Sequence, residues 1–119
     1  MPGLHLTADL YQCRCEARWL DDAQQLGPWC LAAVRRLGLP VLGHVFSAGG
    51  GGVSMALLLE GSHICLHTRR QQRSASIDVY VDNTEADRSA TARELMATLV
   101  ERLAPEWTEQ RSLDRGDEQ

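Results

Sequence analysis

Apolar and polar residues alternate through residues 4–11. Leu4, Leu6, Ala8 and Leu10 fall on one side, and His5, Thr7, Asp9 and Tyr11 on the other. A period of two predicts a strand with one buried face. The period then lengthens. Ala23, Leu26, Cys30, Ala33, Val34 and Leu37 recur at helical spacing, behind Asp21 and Asp22, either of which can cap a helix. Gly27-Pro28 interrupts the run and predicts a kink or a later start, and Gly38 supplies a stop. Val41 to Phe46 reads as a second strand. The four glycines Gly49 to Gly52 predict a flexible turn rather than a phosphate loop, since no Lys-Ser/Thr and no helical pattern follow.

An apolar run from Val53 to Leu59 enters Glu60-Gly61-Ser62, and alternation resumes towards His67. This is a hairpin pattern with a serine at its tip. Arg69 to Arg73 is a polar connection. Ser74 to Val81 is a further strand, with Ala75, Ile77, Val79 and Val81 on its apolar side. Thr84 and Asp87 resemble a capping box ahead of an amphipathic stripe, Ala92, Leu95, Met96, Leu99, Val100 and Leu103, which Pro105 ends. Glu106 to Arg111 forms a short last strand, and Ser112 to Gln119 reads as a frayed polar end.

The resulting order is β-α-β-β-β-β-α with a weak final strand. It predicts an α+β, two-layer sandwich: a mostly antiparallel sheet with two helices on one face. The other face then carries His5, Asp9 and further polar side chains, open to solvent or to a second copy.

Length and composition narrow the classes. At 119 residues the chain is expected to form one domain, residues 1–119. The formal net charge of −4, with Arg69, Arg70 and Arg73 as the only dense basic cluster, argues against a nucleic-acid partner. No stretch is long enough to span a membrane and the first residues lack the features of a secretion signal, so a cytoplasmic location is expected. Cys13, Cys15, Cys30 and Cys65 are expected as buried or half-buried free thiols. His63 and His67 would share a strand face, but no third ligand at suitable spacing accompanies them, so no metal site is expected.

Four segments in order resemble the bacterial S-adenosylmethionine decarboxylases, small pyruvoyl-dependent enzymes of polyamine synthesis. They are His5-Leu6-x-Ala8-Asp9-x-Tyr11-x-Cys13, Gly52-Val53-Ser54, Glu60-Gly61-Ser62-His63-x-x-x-His67-Thr68, and Ile77-Asp78-Val79-Tyr80. The resemblance implies a self-cleaving proenzyme. By it, the Ser62 hydroxyl attacks the Gly61 carbonyl, the ester breaks by β-elimination, and hydrolysis with loss of ammonia leaves a pyruvoyl group. The cut falls between Gly61 and Ser62 and gives a β chain of 1–61 and an α chain of 62–119. Ser54 matches the serine that assists processing, and His67 the histidine that acts as its base. The pyruvoyl group is then the covalent cofactor, with no metal, and forms a Schiff base with a substrate amine before carbon dioxide leaves. A homodimer with sites near the subunit boundary is also implied.

The chain departs from that family in its substrate set. Asp82 stands where the family has its catalytic cysteine. Arg69-Arg70-Gln71 replaces Trp-Pro-Glu, Ala48 falls at or near the second stacking aromatic, and Gln12 replaces a glutamate. The processing set is intact while the adenosyl set is gone. The expected substrate is therefore a basic amino acid, ornithine or arginine. Asp82 would donate a proton or hold the distal cation, and Asp9, His5 and Arg69 would line the substrate site. Two alternatives stand beside this reading: a genuine S-adenosylmethionine decarboxylase using Asp82, and a non-processing pseudoenzyme that partners an active homologue.

Overall fold

The computed structural model describes residues 2–116. Nine elements follow one another: β1 (Gly3–Cys13), α1 (Arg18–Asp21), α2 (Ala23–Arg36), β2 (Val41–Gly49), β3 (Gly52–Leu59), β4 (Ser62–Arg69), β5 (Ser74–Asp82), α3 (Ser89–Leu103) and β6 (Pro105–Arg115). The strands form one six-stranded sheet in the order β2-β3-β4-β5-β1-β6. Every neighbouring pair is antiparallel. The alternation fixes which face is dry. Leu10, Leu57, Ile64, Leu66, Ile77 and Val79 turn to the helix side and are fully buried beneath Leu20, Leu26, Leu95 and Leu99. At about 1.5–3 kcal/mol for each large side chain removed from water, this layer dominates the favourable side of folding.

One polar residue ties the layers together inside that core. Thr68 is buried, and its hydroxyl donates to the Leu20 carbonyl at 2.7 Å while accepting from the Val53 amide at 2.9 Å. It thereby joins α1 to two strands. Cys13, Cys15 and Cys30 are buried and Cys65 half-buried, all as free thiols. Burial pushes Cys13 up to about 11 and Cys30 to about 12, so both stay neutral and unreactive near pH 7.

Five sequence expectations change in detail. Helix α2 starts at Ala23 and runs through Pro28 without a later start, capped by Asp22, whose side chain accepts the Gln24 amide at 2.9 Å. The Thr84–Asp87 capping box does not form. Helix α3 begins at Ser89, whose amide bonds Asp87 at 3.0 Å, and that bond lowers the Asp87 carboxyl below the usual range. Gly50 and Gly51, at φ +62° and +83°, close a tight two-residue hairpin rather than a loose turn. Arg69 belongs to β4, and Arg73 is a clasp: its guanidinium donates to the Cys13 carbonyl at 2.6 Å and also to that of Cys15. Finally, β6 continues through Ser112 to Arg115, and only residues 117–119 of the expected frayed end lie outside the described residues.

Candidate active site

The open face of the sheet is ordered in rows, because antiparallel register partners share a face. One row reads Leu58, His63, Tyr80, His5, Leu113 from β3 across to β6. Two residues along the strands, a second row reads Ala56, Cys65, Asp78, Thr7, Arg111. Two further along, a third reads Ser54, His67, Ser76, Asp9, Glu109. The candidate residues therefore fall into two groups at opposite ends of the strands.

The first group surrounds the β3–β4 turn. Leu59 pairs with Ser62, so Glu60 and Gly61 alone make the turn, with Gly61 at φ +70°. A left-handed residue at this place is what a glycine tolerates best. Ser62 is only 4% exposed, and its hydroxyl oxygen accepts the Asp82 amide at 3.0 Å. The hydroxyl proton is thus left to other acceptors. Asp82 Oδ1 accepts the Thr84 hydroxyl at 2.6 Å and the Thr84 amide at 3.3 Å. A Cβ at Gly61 would sit 3.4 Å from Asp82 Oδ2, so the carboxylate lies directly against the bond preceding Ser62. His5 stands one row inward, edge-on to Tyr80 at 6.3 Å, with His63 on Tyr80 at 5.6 Å. Its Nε2 is buried, 3.9 Å from Asp78, and has no hydrogen bond within the described residues.

The second group lies at the far end. Ser54 Oγ and His67 Nδ1 are 3.0 Å apart across β3 and β4, a coupled hydroxyl and imidazole. Arg69 follows on β4, its guanidinium held by the Ser74 and Ser76 hydroxyls at 3.2 and 3.1 Å. Neither partner is charged, so Arg69 keeps its capacity for an anion. Asp9 is in the His67 row but three strands from Ser54. Ser62 and His67 are five residue steps apart along β4, roughly 17 Å at about 3.4 Å per residue. One chain therefore gathers Ser62, Gly61, Asp82 and His5 in one place and Ser54, His67, Arg69 and Asp9 in another. Among the described residues no cluster of three metal-ligating side chains occurs, and no helix is long and apolar enough to cross a membrane.

The family profile described as S-adenosylmethionine decarboxylase matches residues 4–116. The chain belongs to the S-adenosylmethionine decarboxylase family. Its members are self-processing decarboxylases of polyamine synthesis whose pyruvoyl cofactor is made from a serine of the chain. The S-adenosylmethionine decarboxylase proenzyme of a Sulfurihydrogenibium species is 30% identical over 115 residues, covering 96% of this chain and 82% of that protein. The proenzyme of Aeropyrum pernix is 35% identical over 78 residues, 66% of this chain, and the match spans 59% of that relative. The fold matches the crystal structure of the adenosylmethionine decarboxylase from Aquifex aeolicus, with a TM-score of 0.85, 24% identity and coverage of 98% and 92%.

Within this family member, the motif reading missed three residues of the first group. Tyr80 and His63 were visible in the motifs but had no assigned part. Arg115 lay in the segment expected to fray, yet it lines the cleft beside Ser62 and stands over Tyr80 at 5.8 Å. No periodic signal in the sequence could have found it, since residues 110–115 are polar on both sides apart from Leu113.

Proposed function

We propose that the chain cleaves itself between Gly61 and Ser62 and then decarboxylates a basic amino acid. The observation that carries this reading is the Gly61–Ser62–Asp82 contact. A buried serine hydroxyl follows a glycine carbonyl at a tight turn, and a carboxylate replaces the family cysteine against the same bond. Ser62 fits as the precursor of a pyruvoyl group, because its oxygen is already oriented by the Asp82 amide and its neighbour has no side chain to obstruct attack. Once formed, that group supplies an electron sink for loss of carbon dioxide. Asp82 keeps one oxygen turned towards Gly61, where an anion suits the distal ammonium or guanidinium of ornithine or arginine.

Processing needs a base, and His67 coupled to Ser54 suits that work near pH 7. Since the two groups lie roughly 17 Å apart within one chain, the reading requires a second copy. The open face offers an interface: Val45, Leu58, Trp107 and Leu113 are all at least half exposed on it. Exposed apolar residues on one face are a usual mark of association. Two sheets stacked with their strands antiparallel would bring the Ser54–His67 pair of each copy to Ser62 of the other.

The test is the denatured mass of the purified protein, followed by carbon dioxide release from ornithine, arginine and lysine. Two fragments, with 62–119 beginning in a pyruvoyl group, and turnover of one of these amino acids are expected. Ser62→Ala is expected as a single full-length species without activity. Turnover of S-adenosylmethionine alone would instead favour the second reading, for which the family match over 4–116 speaks. A wild-type chain that stays whole would indicate the non-processing partner.

A further inference from the structure

Two clefts meet at Gly61, and they differ in charge. One, of about 170 Å³, is lined by Glu60, Asp82 and Glu85 against a single Arg88. The other, of about 350 Å³, is lined by Leu58, Leu59, Ser62, His63, Tyr80 and Arg115. In this second cleft Arg115 is the one residue with a permanent charge. No carboxylate of the described residues lies within ion-pairing distance of it. The register explains the arrangement. Asp82 and Arg115 both pair with Gly3, one on each side of it, so their backbones are roughly 9–10 Å apart, two strand spacings. Gly3, having no side chain, lets the Tyr80 ring lie over it as the floor between them: a Cβ there would meet the Tyr80 hydroxyl at 2.6 Å.

We propose that Arg115 is the anchor for the substrate α-carboxylate, so that a zwitterionic amino acid lies across the Gly61–Ser62 turn with its carboxylate towards β6 and its distal end towards Asp82. The proposal rests on the decarboxylase reading above and adds to it the polarity of binding and a specificity residue. The chemistry suits the neighbours. Tyr80 steadies the guanidinium through its ring face, and Leu58 and Leu59 reduce the screening around it. The anchor serves any α-amino acid, S-adenosylmethionine included, whereas Asp82 selects among them. The carboxylate's negative charge passes into the electron sink as neutral carbon dioxide departs. At an early barrier most of that charge is still on the carboxylate, so the ion pair is held much alike in the bound substrate and at the barrier and should appear in KM rather than kcat.

The experiment compares the processed wild-type protein with Arg115→Gln and Arg115→Lys on whichever of ornithine, arginine, lysine and S-adenosylmethionine it decarboxylates. It also measures inhibition by the matching decarboxylated amine, which has no carboxylate. Arg115→Gln is expected to raise KM at least tenfold with kcat within threefold. Arg115→Lys should recover part of the loss, and amine inhibition should move less than twofold. An unchanged KM, or substrate and amine affinities weakened alike, would overturn the anchor while leaving the decarboxylase reading intact. A wild-type protein that releases carbon dioxide from none of the four overturns both.

Discussion

Gly61 holds a left-handed backbone against Asp82, with 3.4 Å between the carboxylate and the place a Cβ would occupy. An L-residue in that conformation costs about 1–2 kcal/mol. Gly61→Ala should therefore lower stability by about 1 kcal/mol and slow the appearance of the 62–119 fragment. Urea unfolding and a time course of denatured mass check both effects, and no change in either would mean that the turn relaxes freely. At this scale the sequence was legible where residue identity carries chemistry. Ser62, Ser54 and His67 stood in spaced motifs, and Ser54 and His67 are bonded as partners. Arg115 was not legible, because Gln110 to Arg115 is polar on both sides of the strand apart from Leu113, which leaves no contrast to mark a face.

The elements follow from periodicity, and their details follow from contacts that periodicity does not contain. Helix α2 persists through Pro28 because one lost amide near its start is tolerable beneath a packed face that includes Leu26, Cys30 and Val34. The Gly27 position is set by the sheet instead. A Cβ there would lie 2.4 Å from the Phe46 ring. Alanine normally favours a helix over glycine by about 1 kcal/mol, yet overpacking costs about 1–3 kcal/mol. Gly27→Ala is thus expected to lower the melting temperature by a few degrees, and a rise would show that Phe46 moves aside at little cost. The start of α3 was misplaced for a similar reason. Asn83 accepts the Arg88 amide at 2.7 Å and holds residues 84–87 in a loop, so Thr84 never reaches a helical turn.

For the whole molecule, the expectation of one antiparallel sheet with helices on a single face agrees with the structure, since alternation determines burial strand by strand. The separation of the two half-sites follows from the five-residue step between Ser62 and His67 once β4 is extended, a step the sequence already contained. It yields a test of self-association. A His67→Ala chain expressed alone should stay whole. Coexpressed with a Ser62→Ala chain, which keeps His67, it should be cut, and the Ser62→Ala chain should not. Cleavage of His67→Ala alone, or none in the mixture, would argue against a shared site.

The strand order has one more consequence. Residues 1–61 contribute β1, β2 and β3, while 62–119 contribute β4, β5 and β6, and β1 lies between β5 and β6. A cut at the β3–β4 turn therefore severs the chain without separating its pieces, because each fragment is threaded into the other's hydrogen bonds. What changes is the way back. Before the cut, refolding is intramolecular. Afterwards the two pieces must find one another, and the joining that the chain gave them as effective concentration is lost. The mature protein would then owe its lifetime to slow unfolding rather than to a reversible balance, and the order of events in its making would be built into its topology: fold first, then cut.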